Sequence, residues 1–162
     1  LKVIEEILKT MREATKKPLT VKIRKSDIAF DILKIAEKYC DAIAIHPRRK
    51  EQGYSGEPDI DFALKIKHST KLPVIYSGNV NEKNAQEFLE KFDFIMIGRG
   101  AIGHPEIFAT LTNNKKFKRS TRDYMKLAIK HNLSMKQIKF QTMNFTKGLE
   151  NSRQMRNEMC KN

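Results

Sequence analysis

Polar and glycine residues follow several short apolar segments of the 162-residue chain, and their types could do chemistry. His46 and Arg48 follow one such segment, Ser77-Gly78-Asn79 follows the next, and Gly98-Arg99-Gly100 follows a third. Glycine lets backbone N–H groups approach an anion closely, and an arginine guanidinium binds phosphate through two parallel N–H bonds. The two glycine turns and Arg99 therefore predict a phosphate-binding site, although a single glycine could equally serve a tight strand-to-helix turn.

Further basic and imidazole groups could bind an anion or move a proton. Lys22 lies between Val21 and Ile23, where an inward lysine is costly unless it meets an anion or an electron-rich ring. The alternative is a lysine that extends its charge outward to water. His46 could bind phosphate, donate a hydrogen bond or transfer a proton, or it could be structural. The loop cluster at 48–50 could also be merely solvated.

An alternation of helices and strands must position these residues. Apolar spacing predicts a helix over 3–14, and short apolar runs predict four strands that start near residues 20, 42, 73 and 94. The intervals of 22, 31 and 21 residues suit parallel strands joined by crossover helices. In such folds function gathers at the carboxyl ends of the strands.

This alternation is typical of an α/β fold, either a doubly wound parallel sheet or part of a (β/α)8 TIM barrel. Four units are half of such a barrel, which normally needs about 250 residues. From Lys115 the pattern becomes helical, since Ser120 and Ser134 can cap helices over 121–131 and 135–147, and a third can follow over 152–160. We therefore expect a partial barrel over 1–114 and a small all-α domain over 115–162.

The net charge of +13 is concentrated in that helical third. Residues 115–162 carry 13 Lys and Arg against 3 Asp and Glu, whereas residues 1–114 carry 19 against 16. Such an imbalance favours a polyanionic partner, most simply nucleic acid, over a merely solvated lysine-rich surface.

Composition argues against several other classes of protein. A hydrophobic fraction of 40% supports a packed core, and no apolar run reaches the roughly 18 residues that a membrane helix needs. Cys40 and Cys160 are too few for a disulfide framework or a four-cysteine zinc site, and no metal is expected. The start of the chain is amphipathic and unlike a signal peptide, so we expect a reducing, cytoplasmic setting without a membrane.

Five motifs, taken in order and spacing, resemble the tRNA-dihydrouridine synthase family. They are Val-Lys-Ile-Arg at 21–24, His-Pro-Arg at 46–48, Gln-Gly-Tyr-Ser-Gly at 52–56, Pro-Val-Ile-Tyr-Ser-Gly-Asn at 73–79 and Met-Ile-Gly-Arg-Gly-Ala-Ile-Gly-His-Pro at 96–105. The likeness covers roughly residues 18–108, and the helical tail is similar to the RNA-binding helical domain of that family.

The resemblance implies an oxidoreductase with FMN at the mouth of a (β/α)8 barrel. NADPH would reduce the flavin, which would pass a hydride to a uracil ring of tRNA. By position, Lys22 and His46 resemble the residues that contact the flavin ring, and Arg48 resembles an arginine near the substrate base.

The resemblance also assigns the flavin loops. Ser77, Gly78 and Asn79 match a loop usually written Asn-Gly-Asp, from which this chain departs at two of three positions. Contacts through backbone N–H groups would survive that departure, whereas contacts through the family's side chains would not. Gly98 and Arg99 match the phosphate-binding pair.

Contacts with tRNA fall on basic side chains by the same resemblance, namely Arg48, Arg49, Lys139, Lys147, Arg153 and Arg156. The family's proton-donating cysteine would precede Leu1, so we expect no catalytic residue in this chain. A half barrel exposes strand edges, and it should need its missing N-terminal half or self-association. Two alternatives stay open: a non-catalytic RNA-binding module, and another FMN- or phosphate-binding TIM-barrel enzyme, which the basic tail disfavours.

Overall fold

Four parallel strands form a single sheet in the computed structural model, which describes residues 1–114, 120–146 and 149–161. The strands pair in chain order, and they are β1 (Thr20–Arg24), β2 (Ala42–His46), β3 (Val74–Tyr76) and β4 (Phe94–Ile95). The helices that precede and connect them are α1 (Lys2–Ala14), α2 (Ala29–Tyr39), α3 (Ile60–His68) and α4 (Ala85–Lys91). The predicted α/β class with four parallel strands is therefore confirmed.

The core of this part is built around β2. The first four residues of that strand, Ala42 to Ile45, are buried, as expected for a central parallel strand covered on its faces. Each connecting helix turns apolar residues inward, including Leu33 of α2, Ile66 of α3 and Phe88 of α4. The helices thus fix the sheet through packing, and the strand ends stay available for function.

Two aspartates hold the amino ends of neighbouring strands in the same way. Asp41 precedes β2 and accepts a 2.6 Å hydrogen bond from the backbone N–H of Leu19, which leads into β1. Asp93 precedes β4 and accepts a 2.7 Å bond from the N–H of Val74 in β3, while it pairs with Lys67. The Leu19 hydrogen bond lowers the pKa of Asp41, and the Lys67 hydrogen bond lowers the pKa of Asp93. Both carboxylates are therefore favoured in the charged form that the fold uses.

The chain divides into two compact units, a first unit Leu1–Ile97 and a second unit Gly98–Asn162. The second unit contains a 3₁₀ turn (Arg99–Ala101) and helices α5 (Ile107–Leu111), α6 (Thr121–Lys130), α7 (Met135–Phe145) and α8 (Ser152–Lys161). The sequence predicted a domain boundary after residue 114, which is later in the chain than the division between Ile97 and Gly98. Residues 115–119, which follow that predicted boundary, are outside the described residues. The division into a barrel part and an all-α domain stays a prediction.

Serine caps begin two of these helices, as the sequence predicted. The Ser120 hydroxyl accepts from the N–H of Asp123, and the Ser134 hydroxyl accepts from the N–H of Gln137, whose side chain reaches back in a capping box. Each cap satisfies an N–H group that the first helical turn leaves without a partner. None of the described helices is both long and apolar enough to cross a membrane.

A glycine joins two parts of the second unit. Gly103 has a φ of +75°, and a Cβ at this position would lie 2.1 Å from the carbonyl oxygen of Asn144 in α7. Only glycine combines that backbone conformation with so close an approach. The segment that follows the 3₁₀ turn is therefore packed directly against α7.

Candidate functional site

The sheet has one face directed toward α4 and an opposite face, which we call the far face. Tyr76 stacks on Phe88 and Phe92, with ring centroids 4.3 and 4.8 Å apart, so its side chain lies on the helix side. Because side chains alternate along a strand, the neighbouring Ile75 belongs to the far face. The strand register aligns one row across that face: Lys22, Ala44, Ile75 and Phe94.

This row combines one cation with an apolar strip. Lys22 lies at the β1 end of the row and is exposed. No ion pair between described residues includes it. Ala44 beside it has a small side chain, and Phe94 at the other end is 55% exposed. Ala44 is buried, so the exposed parts of the row are Lys22 on one edge strand and Phe94 on the other. An exposed ammonium group attracts an anion or an electron-rich ring.

His46 extends the far face toward the carboxyl end of the sheet. It is aligned with Arg24 of β1, two residues beyond Lys22, and it is half-buried. Its backbone oxygen accepts hydrogen bonds from the N–H of Lys25 at 3.2 Å and of Arg48 at 2.8 Å. The chain thus turns immediately after the strand. The imidazole of His46 stays at the strand end, and Arg48 lies beyond the turn.

Arg48 lies in the interior, at 1% exposure. Its guanidinium donates to the carbonyl oxygen of Gly56 at 2.6 Å and to Oδ1 of Asn79 at 3.3 Å. Asn79 in turn donates from Nδ2 to a carboxylate oxygen of Glu57 at 3.1 Å. These contacts tie the loop after β2 to the loop after β3. Sequence reasoning assigned Arg48 to the substrate, and that assignment stays a prediction. In the structure the Arg48 side chain lies between the two loops.

Tyr76 and Gly78 explain the close fit of the same loops. Tyr76 is fully buried, its hydroxyl has no hydrogen-bond partner among the described residues, and burial raises its pKa to about 12. A Cβ at Gly78 would lie 3.0 Å from that hydroxyl and from two carbons of Pro58. Close packing within the protein therefore favours glycine at position 78, a reason that the sequence did not reveal.

A basic crevice runs along β1, with a volume of about 420 Å³. The cations that line it are Lys22, Arg24, Lys25, Arg49 and Lys50. Arg49 is held by a 2.6 Å ion pair with Asp27, whose pKa is lowered by that hydrogen bond, and its carbonyl accepts a 3.4 Å contact from Arg24. Glu51 also lines the crevice, and Lys25 is paired with Asp59, so the cations that form no ion pair with another described residue are Lys22, Arg24 and Lys50. This excess of positive charge suits an anionic ligand or chain.

The predicted phosphate pair belongs to the second unit. Gly98 precedes the 3₁₀ turn that starts at Arg99, and a Cβ at Gly98 would meet no atom within 4 Å. Any larger residue would thus occupy open space in front of the local backbone. A side chain would therefore meet no packing conflict at Gly98, and the assignment of Gly98 and Arg99 to a phosphate stays a prediction.

The predicted RNA-contacting cations of the tail lie on two helices of the second unit. Lys139 belongs to α7 and is half-buried, and Arg153 of α8 is exposed. Arg156 of α8 is half-buried and donates to the Thr146 hydroxyl at 3.4 Å. Lys147 lies outside the described residues.

Two cysteines have different surroundings. Cys40 is buried, and burial raises the pKa of its thiol, which disfavours the reactive thiolate. Cys160 is exposed on α8, with its sulfur 3.8 Å from that of Met143. Among the described residues no group of three or more His, Cys, Asp and Glu side chains is arranged to hold a metal ion.

Sequence reasoning missed three residues that contact the loops after β2 and β3, namely Gly56, Glu57 and Tyr76. Gly56 has a φ of +61°, and its carbonyl receives Arg48. The motif at 52–56 was a usable signal, because it placed glycines in the loop, but their partner is known only from the folded structure. Glu57 and Tyr76 carried no signal of their own.

Comparisons with known proteins place these features in context. A family model described as dihydrouridine synthase (Dus) matches residues 1–162. A probable tRNA-dihydrouridine synthase of Rickettsia conorii is 38% identical over 120 residues, which cover 68% of this chain and 36% of that protein. The tRNA-dihydrouridine synthase B of Vibrio parahaemolyticus is 35% identical over 115 residues, 65% of this chain and 36% of its own. A probable tRNA-dihydrouridine synthase of Rickettsia typhi is 30% identical over 141 residues, 78% of this chain and 43% of its own.

Proposed function

Because the chain belongs to the dihydrouridine synthase family, we propose that it supplies the C-terminal half of the TIM barrel of an enzyme that reduces uridine to dihydrouridine in tRNA. FMN would be the cofactor and NADPH the reductant. The chain spans about a third of the length of the first relatives that it matches, so the complete reaction would require the other half of the barrel.

The observation that carries the proposal is the row on the far face that begins at Lys22. When bound, FMN supplies a hydride for the uracil ring. The ammonium group of Lys22 would hold the flavin ring by its charge, and His46 would donate an N–H bond at the strand end. These roles need only side chains that the sheet places on one face.

The phosphate of the cofactor would use the glycine loops. Gly98 has the open space that a phosphate needs, and Arg99 would add charge. Ser77 and Asn79 would contribute through backbone N–H groups, since the side chain of Asn79 is held by Arg48 and Glu57.

Capture of tRNA would be electrostatic. The phosphate backbone would meet Arg49 and Lys50 of the basic crevice and the tail cations Lys139, Lys147, Arg153 and Arg156. Arg48 is nearly inaccessible, which supports a positioning role in which it aligns the loops that border the substrate. The target base must leave its stack to reach the flavin.

The rest of the barrel would complete the site. β1 and β4 are the edge strands of the four-stranded sheet, and exposed Phe94 and Met96 follow the far face to the β4 edge. Pairing of both edges with preceding strands, or with a second copy, would cover these residues. The proton that completes uracil reduction would come from a cysteine on the preceding half.

An FMN titration followed by flavin fluorescence tests the proposal. The chain is titrated alone and together with the N-terminal part of the Rickettsia conorii relative. Lys22→Met should weaken FMN binding at least about tenfold, the effect of losing roughly 1.4 kcal/mol of charge interaction. The matched variant Lys16→Met, an exposed lysine before β1, should bind like the parent chain. Absence of saturable FMN binding in both preparations would contradict the flavin assignment.

Binding of a tRNA transcript at increasing salt tests the RNA assignment. Affinity should fall steeply, because residues 115–162 carry 13 cations and each released counterion adds to the salt slope. RNA binding without FMN binding would favour a non-catalytic RNA-binding module. FMN binding with no affinity for RNA would favour another FMN- or phosphate-binding barrel enzyme.

A further inference from the structure

We propose that the second unit holds a pocket for one unpaired RNA base between α6 and α7, an inference that rests on the proposed tRNA function and adds a specific contact to it. The pocket has a volume of about 360 Å³. Its lining residues are Tyr124, Leu133, Gln137, Phe140, Gln141 and Phe145. Pockets for small planar ligands begin at roughly this size, about 300 Å³.

Aromatic rings form much of the lining. The rings of Tyr124 and Phe145 lie 5.4 Å apart between centroids and are tilted by 32°. Phe140 lines the same pocket while 57% of its surface is exposed. An exposed phenyl ring beside two others is a surface on which a base can stack, and stacking accepts any base because each has a π face.

Two carboxamides supply the polar contacts that a base edge needs. Gln137 and Gln141 are four residues apart on α7, so they lie on the same side of the helix. The side-chain oxygen of Gln137 is fixed by the Ser134 N–H at 3.0 Å, which sets the direction of its NH₂ group. The side chain of Gln141 has no hydrogen bond to any other described residue, and a carboxamide can both donate to and accept from a base.

The charge around the pocket selects RNA as the occupant. Helices α6 and α7 carry five cations, which are Arg122, Lys126, Lys130, Lys136 and Lys139. Asp123 is the acidic residue of these helices, and Lys126 already lies 3.6 Å from it. A base in the pocket would thus have its phosphates within a basic surface, whereas an acidic or apolar peptide would leave the carboxamides unused.

A single-tryptophan variant measures the contact directly. The chain has no tryptophan, so Phe140→Trp introduces one indole in the pocket. An RNA stem-loop with an unpaired loop should quench this indole by stacking. A blunt RNA duplex with the same number of phosphates should bind through charge and leave the fluorescence nearly unchanged.

Affinity variants measure the size of the effect. Phe140→Ala should weaken stem-loop binding about 5- to 150-fold, the range that base stacking gives, and duplex binding less than about twofold. Gln141→Ala should weaken stem-loop binding about 2- to 12-fold, as for one hydrogen bond. Phe140→Tyr should restore the parent affinity, and Met135→Ala, a 65% exposed apolar control on the same helix, should have no effect.

Four results would overturn the proposal. In the first, Phe140→Ala weakens binding of the stem-loop and of the duplex equally; in the second, the stem-loop does not quench the indole of Phe140→Trp. In the third, both Phe140→Ala and Gln141→Ala bind weakly because they have lost helical circular dichroism. In the fourth, free UMP displaces the stem-loop at equal concentration. The last result would assign the pocket to a free nucleotide. Failure of the parent chain to bind either RNA would reject the proposed tRNA function itself, whereas equal affinity for both RNAs would reject the base pocket alone.

Discussion

The two units of this chain are stabilised by different means. In the first unit, apolar side chains such as Ile43, Ile45 and Ile66 are fully removed from water. Among the described residues of the second unit, the buried apolar side chains are Ile107 and Ala128. The second unit instead exposes several large apolar residues: Leu127, Ile129, Met135 and Phe140. Hydrophobic burial therefore shapes the first unit, whereas caps and local packing shape the second.

Charge follows the same division. Residues 1–97 carry 18 Lys and Arg against 15 Asp and Glu, whereas residues 98–162 carry 14 against 4. Self-repulsion among these cations opposes compaction of the helices, and a bound polyanion would remove that repulsion. The comparison teaches that the first unit is stabilised by its own core, and that binding of a polyanion, if the proposed function holds, should stabilise the second unit.

Core truncation should separate the two units most clearly. Ile45→Ala in β2 removes a fully buried side chain and should lower the free energy of unfolding by about 2–5 kcal/mol. Ile129→Ala in α6, where the side chain is 68% exposed, should change it by less than about 0.5 kcal/mol. Urea denaturation of both variants measures the difference. A large effect of Ile129→Ala would show that this side chain is buried in solution.

Gly103→Ala should destabilise the second unit selectively. The added methyl would overlap the Asn144 carbonyl in a backbone conformation with a φ of +75°, at a cost of about 2–4 kcal/mol. Hydrogen exchange should rise in α7 and stay unchanged in β2. Gly98→Ala is the control, since its Cβ meets no atom within 4 Å; it should keep the parent exchange pattern. Equal protection of α7 in the Gly103→Ala variant would refute this close packing.

Arg48→Met should loosen the two loops of the first unit. The change removes the guanidinium donor to the Gly56 carbonyl and to Oδ1 of Asn79, which should cost about 1–3 kcal/mol. Arg49→Met removes an exposed ion pair with Asp27 and should lower the melting temperature much less. Thermal unfolding of the adjacent pair of variants gives the comparison. Equal melting temperatures of the two variants would show that the Arg48 guanidinium does not hold the loops after β2 and β3 together.

The smallest expected effect is the loss of stability at acidic pH that comes from protonation of Asp93. The pKa of Asp93 is lower in the folded chain than the roughly 3.9 of an unfolded aspartate, chiefly because of Lys67. Charged Asp93 stabilises the folded chain by about 1 kcal/mol or less, because its pair with Lys67 is partly exposed. This stabilisation is fully present above about pH 4 and is lost as the pH falls through the pKa of Asp93 in the folded chain. Asp93→Asn should reduce the loss of stability between pH 5 and about pH 2, measured by urea denaturation. Asp61→Asn, an exposed change on α3, should keep the parent pH profile.

Local patterns sufficed for much of the fold. Short apolar runs identified all four strands, because a central parallel strand needs few polar residues, and Ser120 and Ser134 marked helix starts through hydroxyls that bind within three residues. These features depend on neighbours within one or two turns of chain. The sequence also placed His46 at a strand end, whereas the shared face of Lys22 and His46 became known from the strand register.

Features that depend on distant partners were not predictable in the same way. The burial of Arg48 depends on Asn79, which is 31 residues away, and the reason for Gly78 depends on Pro58. The role of Gly103 depends on Asn144, which lies on a different helix. In each case the residue type was conspicuous in the sequence, but the atom that it meets is set by the fold.

The order of the strands has a consequence for how the sheet is made. Each strand pairs with the strand that comes next in the chain, from β1 to β4. Each pairing closes a loop of one crossover connection, which costs less loop-closure entropy than pairing between strands further apart in the chain. A chain that emerges from the ribosome can therefore add strands one at a time, and synthesis as far as Tyr76 already provides three of the four. The sheet can grow in the direction of translation, without waiting for the basic helices to be made.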